Sequence, residues 1–495
     1  MKKVFLIILF LLAAAMVYTE LSQYEDAPPY PVLSWKTGIC PERYVQVELF
    51  REWLRKEGYV DKNGNPLFDI KLEAESIQST MIQAVSGVGA DILDRVPTDA
   101  FAAMGILEDI TDFADANGMG ISDTYPAMES LVSLNGRQYA YPCNLAVYVL
   151  WSNVDLFRKL GMEPPPETWT PEEFERIGKE FTKRANQGLD RQKVFFCTWT
   201  PMVTQIARSR GKDLYNETLT AADIDNPVFA DALKLHYKWV YEDHLMPSSA
   251  ERVSMNAESS FGNDGEVSQF IHGQYGMLCI GRYIFMNLRM LDKELPTANH
   301  LFPQYEFQNA FIDGRMSAVY AGGKHKEYAK LFLKFLASRE YSDLLVESAD
   351  GLPPNRRMVE TNADYFHPPK YPLEGGPNAN EFKWACNAAL KNPSSPYNKV
   401  SNRMYEMLDQ VMNNLATPEE ALRDTQSRIS RYIDETVGAN PELKEQYDKD
   451  VALQKKIDAR KAAGQKIPAN WIKNPYYLQY YKFKNLLAAP ERSEP

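Results

Sequence analysis

The run Gly136-Arg-Gln-Tyr-Ala-Tyr-Pro-Cys-Asn-Leu-Ala-Val-Tyr-Val-Leu-Trp-Ser-Asn153 constrains the fold more than any other stretch of this chain. Asn135-Gly136 marks a turn, and the residues after it are apolar, β-branched and aromatic, which favours a strand over a helix. Its period of two sets Asn144, Ala146 and Tyr148 on one side and Leu145, Val147 and Val149 on the other. A short amphipathic helix ending at Gly161 and a proline run follow. In Thr168-Trp-Thr-Pro-Glu-Glu-Phe174, Thr170 and Glu173 then have capping-box spacing, with Pro171 at the first helical position.

The same alternation runs upstream. Val32 to Gly38 reads as a strand, Val45, Leu49, Phe50, Trp53 and Leu54 as a helical face, and Leu67 to Ala74 as a strand. Ile77, Met81, Ile82 and Val85 form a second helical face, before a strand that ends at Asp94-Arg95. Downstream come strands at Val194–Pro201, within Phe270–Gly281 and at Ser317–Gly323, a helix from Glu327 to Ser338, and Gly351-Leu-Pro-Pro-Asn355 as a second crossing or hinge. A capped helix with Pro418 at its first position covers 416–433. Alternating strands and helices predict an α/β fold with a parallel sheet and a ligand crevice at the strand C-terminal ends.

Several ordered motifs resemble one family. They are Tyr139-Ala-Tyr-Pro142, Asn153-Val-Asp-Leu-Phe157, Gly161-Met-Glu-Pro-Pro165, Gly105-Ile-Leu-Glu-Asp-Ile110, Phe270-Ile-His-Gly-Gln-Tyr-Gly-Met277 with Gly281-Arg-Tyr283, Lys324–Ser338, and Pro418–Gln426. Together they resemble the bacterial extracellular solute-binding proteins of ABC transporters, family 1, in the carbohydrate-binding branch that includes maltose-binding protein. The resemblance implies two α/β lobes joined by hinge strands around a central ligand cleft, with no catalysis and no cofactor or metal. It further implies a monomer that delivers a carbohydrate to membrane permease subunits. On that reading 1–31 are a signal peptide or anchor plus linker, 32–142 with 305–352 one lobe, 143–304 with 353–440 the other, and 441–495 a C-terminal extension.

A sugar cleft needs aromatics to stack on C–H faces and planar polar groups to bond hydroxyls, all at strand ends facing one crevice. Trp35 closes the first strand, facing either cleft or core, and Asp94, Arg95 and Asp99 lie where the third strand opens into its loop. Asn144 and Tyr148 share a face of the crossing strand, and Trp199 ends a strand of the second lobe. Arg282 and Tyr283 stand where the family usually has a stacking tryptophan, a departure that leaves an aromatic in place. Arg315 and Asn355 are further candidates.

Met1 to Ala15 has two lysines, an apolar stretch and then small residues, the form of a secretory signal. The apolar run falls short of the roughly 20 residues of a membrane span. The expected location is therefore periplasmic or extracytoplasmic, with an uncleaved N-terminal anchor as the alternative. With 55 Lys+Arg against 66 Asp+Glu the chain is acidic, and it has no basic patch for nucleic acid. The five cysteines are scattered, which favours buried free thiols, although one disulfide is open. The sequence lacks GxSxG, HExxH, P-loop and dinucleotide motifs. A secreted carbohydrate-active enzyme needs only two carboxylates and stays open as an alternative, as does a sensor built on a binding-protein fold. The tail reads as charged from 442 to 461 and aromatic from 467 to 487, folded over a lobe or exposed for a partner.

Overall fold

The computed structural model describes residues 30–74, 76–258, 265–398 and 404–490. The stretch expected to be a secretory signal or anchor, and most of the expected linker, lie outside them. Nine strands form one sheet: β1 Val32–Thr37, β2 Asp69–Ala74, β3 Ile92–Asp94, β4 Ala140–Asn153, β5 Phe195–Cys197, β6 Tyr275–Ile280, β7 Thr297–His300, β8 Ala310–Val319 and β9 Ala389–Leu390. The order is β2-β1-β3-β8-β4-β6-β5, with β7 also on β4 and β9 on β8.

The sheet is mixed, which corrects the parallel expectation. β1 runs parallel to β2 and β3, and β5 parallel to β6, but β8 is antiparallel to both β3 and β4. The reason is traffic between two halves: β4 carries the chain out and β8 brings it back. β4 belongs to both halves, pairing through Tyr148 with β8 and from Val149 onward with β6 and β7. Pro142 is accommodated where the β4–β8 register slips by one residue at Cys143, the kind of irregularity that tolerates proline in a ladder.

Each half has its own core. Trp35, Phe50, Trp53, Phe332, Phe335 and Tyr341 pack under β1–β3, while Phe174, Phe181, Phe196, Trp239, Met277 and Ile433 pack around β5 and β6. A third apolar layer spans both halves, with Leu93, Leu145, Val147, Trp151, Ile280, Ile312, Leu352 and Trp384 in one continuous cluster. One periodicity reading fails. The helix Ile77–Val85 forms, yet Met81, Ile82 and Val85 point outward while Thr80 and Ala84 face the sheet. Val45 is likewise exposed, and Val47 joins the expected Phe50, Trp53 and Leu54 on the buried face of its helix. All five cysteines are free thiols.

The C-terminal extension is folded down, as one of the two sequence readings has it. Helices Pro441–Ala462 and Pro475–Phe483 enclose Ile457, Ile467, Tyr476, Tyr477 and Tyr481 against Phe307 and Leu390. Its clasp is Glu217, whose carboxylate accepts from Lys461 Nζ at 2.6 Å, Gln454 Nε2 at 2.7 Å and the Tyr481 hydroxyl. Close approach is paid for by Gly211: at φ +88 it leaves room for Tyr480, whose hydroxyl would lie 2.6 Å from an added Cβ. Burial would raise the Glu217 pKa, but Lys461 and the hydrogen bonds outweigh it and hold the carboxyl below the usual range. A lowered folded pKa contributes stability above the unfolded value, lost as pH falls through the folded one. Glu217→Ala should lower stability by about 1.5–3 kcal/mol. Limited proteolysis should then cut first within 441–488, and acidification below the carboxylate range should expose the same sites in the wild type.

Candidate functional site

Where β4 and β8 cross between the halves, Tyr148 stands opposite Phe311, Ala146 opposite Asp313 and Asn144 opposite Arg315. Directly opposed residues share a face, so these six form the open side of the ribbon, while Leu145, Val147 and Ile312 are buried on the other. The half-buried rings of Tyr148 and Phe311 stack at 5.1 Å and 27°, and Tyr283 meets Tyr148 edge-on at 6.3 Å. Gly281 brings Tyr283 over the ribbon, for a Cβ there would lie 2.7 Å from that of Ala146.

Asp313 adjoins this aromatic plate, accessible but crowded. Desolvation raises its pKa, moderated by the Gly314 N–H and by the charge of Arg95. Arg95 is exposed at φ 55, pinned to β8 by its N–H donating to Met316 O at 3.0 Å, and its charge also acts on Tyr148. Two aromatic faces and a carboxylate thus lie on one side of the ribbon, with the Arg95 guanidinium at its edge from the loop after β3. This set can stack a C–H face and bond its hydroxyls. Among the described residues no cluster of three or more His, Cys, Asp or Glu could hold a metal.

Beside the plate the crossings are tied together. Asn144 Nδ2 donates to Asp350 Oδ1 at 2.9 Å, and Arg43 Nη1 pairs with Asp350 Oδ2 at 3.0 Å. Leu145 and Leu352 exchange backbone hydrogen bonds of 3.2 and 2.7 Å, making 349–352 a third crossing. Gly351, at φ +92, fits only without a side chain, since a Cβ would sit 2.6 Å from Leu145 O. Arg282 is fully buried and donates to Asn378 Oδ1 at 2.9 Å and to the carbonyls of Leu345, Val346 and Gly351 at 3.1–3.3 Å. Two of those carbonyls belong to the last turn of helix Arg339–Ser348, where a cation meets the negative end of the helix dipole.

Of the residues singled out in the sequence, Arg95, Tyr148 and Tyr283 come together at the plate and Asn144 lies beside it at the hinge. The others have different places. Trp35 is in the core, 4.6 Å from the Phe332 ring, because alternation along β1 turns Leu33 and Trp35 toward the covering helices. Asp94 accepts from Thr37 and Ser317 hydroxyls, both at 2.6 Å, and Arg315 donates to Thr37 Oγ1 at 2.8 Å, so these polar groups satisfy one another. Arg282 serves the hinge rather than the cleft. Asn355 caps helix Arg356–Glu360 through the Arg357 N–H and is buried. Trp199 lies under the Arg252 guanidinium at 5.2 Å and against His236 at 5.8 Å. Asp99 opens the short helix Thr98–Ala103 and accepts from the Ala100 N–H.

Sequence reasoning missed Phe311, Asp313, Asp350 and Glu381. The first two were legible in principle: β8 begins seven residues before the predicted start at Ser317, and its alternation from Ala310 would have placed both on the Tyr148 face. Asp350 and Glu381 carry no local signal, since their partners are 206 and 234 residues away.

The family described as bacterial extracellular solute-binding proteins matches residues 69–343, more than half of the chain. Among solved structures, an ABC substrate-binding protein of Listeria monocytogenes in complex with cycloalternan aligns with a TM-score of 0.65 at 20% identity, over 83% of this chain and 99% of its own. Maltose-bound MalE3 of T. maritima gives 0.62 at 18%, over 80% and 98%. A mannitol-bound solute-binding protein of Agrobacterium vitis gives 0.60 at 16%, over 82% and 99%. At these identities the likeness is one of fold, the two-lobe α/β architecture with hinge strands and a cleft.

Arg282→Ala should destabilise the protein by about 3–5 kcal/mol, because three carbonyls and one amide lose their buried cation. Arg95→Ala, at an exposed side chain, should change stability by less than about 0.5 kcal/mol. Denaturant unfolding of the two variants side by side separates the buried arginine from the exposed one.

Proposed function

The chain belongs to the bacterial extracellular solute-binding proteins, and on that premise we propose that it is the extracytoplasmic receptor of an ABC importer, capturing a carbohydrate between its lobes. The single observation that carries this reading is the aromatic plate of Tyr148, Phe311 and Tyr283 beside Asp313 and Arg95. The ligands of similar folds (cycloalternan, maltose, D-mannitol) belong to the same chemical class. Tyr148 and Phe311 take the C–H face of an oligosaccharide or sugar derivative, and Asp313 accepts from its hydroxyls while Arg95 donates to their oxygens.

The lobes are taken as 32–142 with 305–352 and 143–304 with 353–440. Arg95 then stands on the first and Tyr283 on the second, so one ligand touches both and favours closure by its differential affinity for the closed form. Closure presents both lobes to a membrane permease, and ATP hydrolysis belongs to another chain. The receptor works as a monomer without catalysis, outside the cytoplasmic membrane, and is either released by cleavage of its N-terminal segment or anchored by it. No described helix is long and apolar enough to cross a membrane.

A thermal-shift screen of residues 26–495 against mono- and oligosaccharides, uronic acids and polyamines tests this. A ligand at a hundred times its dissociation constant adds about 2.7 kcal/mol of stability. A carbohydrate recovered unchanged is the expected result; a carbohydrate that is consumed makes the protein an enzyme. Tyr148→Ala and Phe311→Ala should each weaken binding by about tenfold or more, as lost stacking and burial of roughly 1.5 kcal/mol require. Trp35→Phe should leave affinity unchanged.

A further inference from the structure

Glu381 lies on the buried face of helix Gly375–Asn387, 1% exposed and directly beneath the crossing ribbon. Its Oε1 accepts from the Val147 N–H at 3.3 Å, so a side chain of this helix holds the central hinge strand by its backbone. Its other oxygen faces the Tyr365 hydroxyl at 3.5 Å, and the backbone N–H of Arg282 points to the same carboxyl. One turn earlier on the helix, Asn378 accepts from the Arg282 guanidinium, which also grips the third crossing at Gly351. Glu381 and Arg282 therefore sit in one sealed network that touches two of the three crossings.

We propose that Glu381 is a proton-responsive element of the hinge: loss of its proton loosens the packing of helix Gly375–Asn387 on β4 and biases the lobes toward movement. The idea rests on reading these crossings as the hinge of a closing receptor. The groups facing Glu381 are Arg282 from the segment after β6, Tyr365 from helix Ala363–Phe366 and Tyr125 from the loop before Pro126. Burial pushes both phenols far above neutrality, which leaves the carboxyl as the acidic group in this set that can respond near neutral pH. Desolvation raises it to about 7, against the opposing charge of Arg282 and the two backbone donors.

The sign follows from linkage. A carboxyl with a raised pKa in the packed arrangement is bound to its proton more tightly there than where water reaches it. As pH rises through that range, the ion is disfavoured inside and favoured in any arrangement that admits water between helix and strand. If opening returns the carboxyl to an ordinary pKa, the opening constant rises by up to about tenfold between pH 6 and pH 8.

Hydrogen–deuterium exchange of the full chain without ligand reads this directly. After correction for intrinsic rates, peptides spanning 144–150 and 378–386 should exchange faster at pH 8 than at pH 6, by up to about tenfold. Glu381→Gln should abolish that difference and hold the protection seen at low pH. Tyr365→Phe, which removes one donor to the ionised form, should move the transition to higher pH. A flat pH profile in the wild type, an undiminished one in Glu381→Gln, or a shift to lower pH in Tyr365→Phe each overturns the proposal. If Glu381→Gln does not fold, the wild-type profile and Tyr365→Phe decide it. No ligand enters these measurements, so an empty sugar screen leaves the proposal standing and its own failure leaves the receptor reading standing.

Discussion

A chain that passes between two halves three times must bury the backbone of every pass, and unpaired peptide groups there would be costly. Arg282 meets that requirement for the third pass and for the helix that leads into it. Its guanidinium satisfies three carbonyls that no ladder reaches, from a side chain anchored at the end of β6 in the other half. Asp350 does the reciprocal work, gathering Asn144 of β4 and Arg43 of the first helix. A planar cation with five donors suits the first task, and a carboxylate with two oxygens suits the second.

With the crossings fixed by these ties and the back of the ribbon covered by an apolar layer shared between the halves, its front is left to display side chains. The aromatic plate follows from strand pairing alone: Tyr148 and Phe311 are brought opposite by register, and Gly281 lets Tyr283 close over them. The candidate site and the architecture are thus two faces of the same pair of strands. The buried face decides where the crossings sit, and the open face decides what they can hold.

Much of this was legible in the sequence and the rest had physical reasons for being hidden. The crossing strand, its two faces, the capped helices at Thr170 and Thr417 and the Gly351-Leu-Pro-Pro crossing could all be read from local pattern. Local pattern failed where burial is set by tertiary context. Trp35 and Asn355 have the right residue types at plausible places, yet β1 alternation sinks one and a helix start claims the other. Arg282 was noticed for its position after a buried strand, but the carbonyls that claim it lie 63 to 69 residues on. The exposed stripe Met81, Ile82 and Val85 shows the converse, an apolar period that does not face the sheet.

The sharing of β4 has a consequence for how the molecule comes into being. The first half needs Val319, Phe332 and Tyr341 to complete its core, and the second needs Leu422 and Ile433. Ties such as Arg43 to Asp350 and Lys461 to Glu217 join residues 307 and 244 apart. Neither half can therefore close on itself until most of the chain has been made, and contacts of such separation form slowly. A polypeptide built this way stays threadable until late, the condition under which a chain can be passed end-first through a narrow channel before it becomes a body too wide to follow.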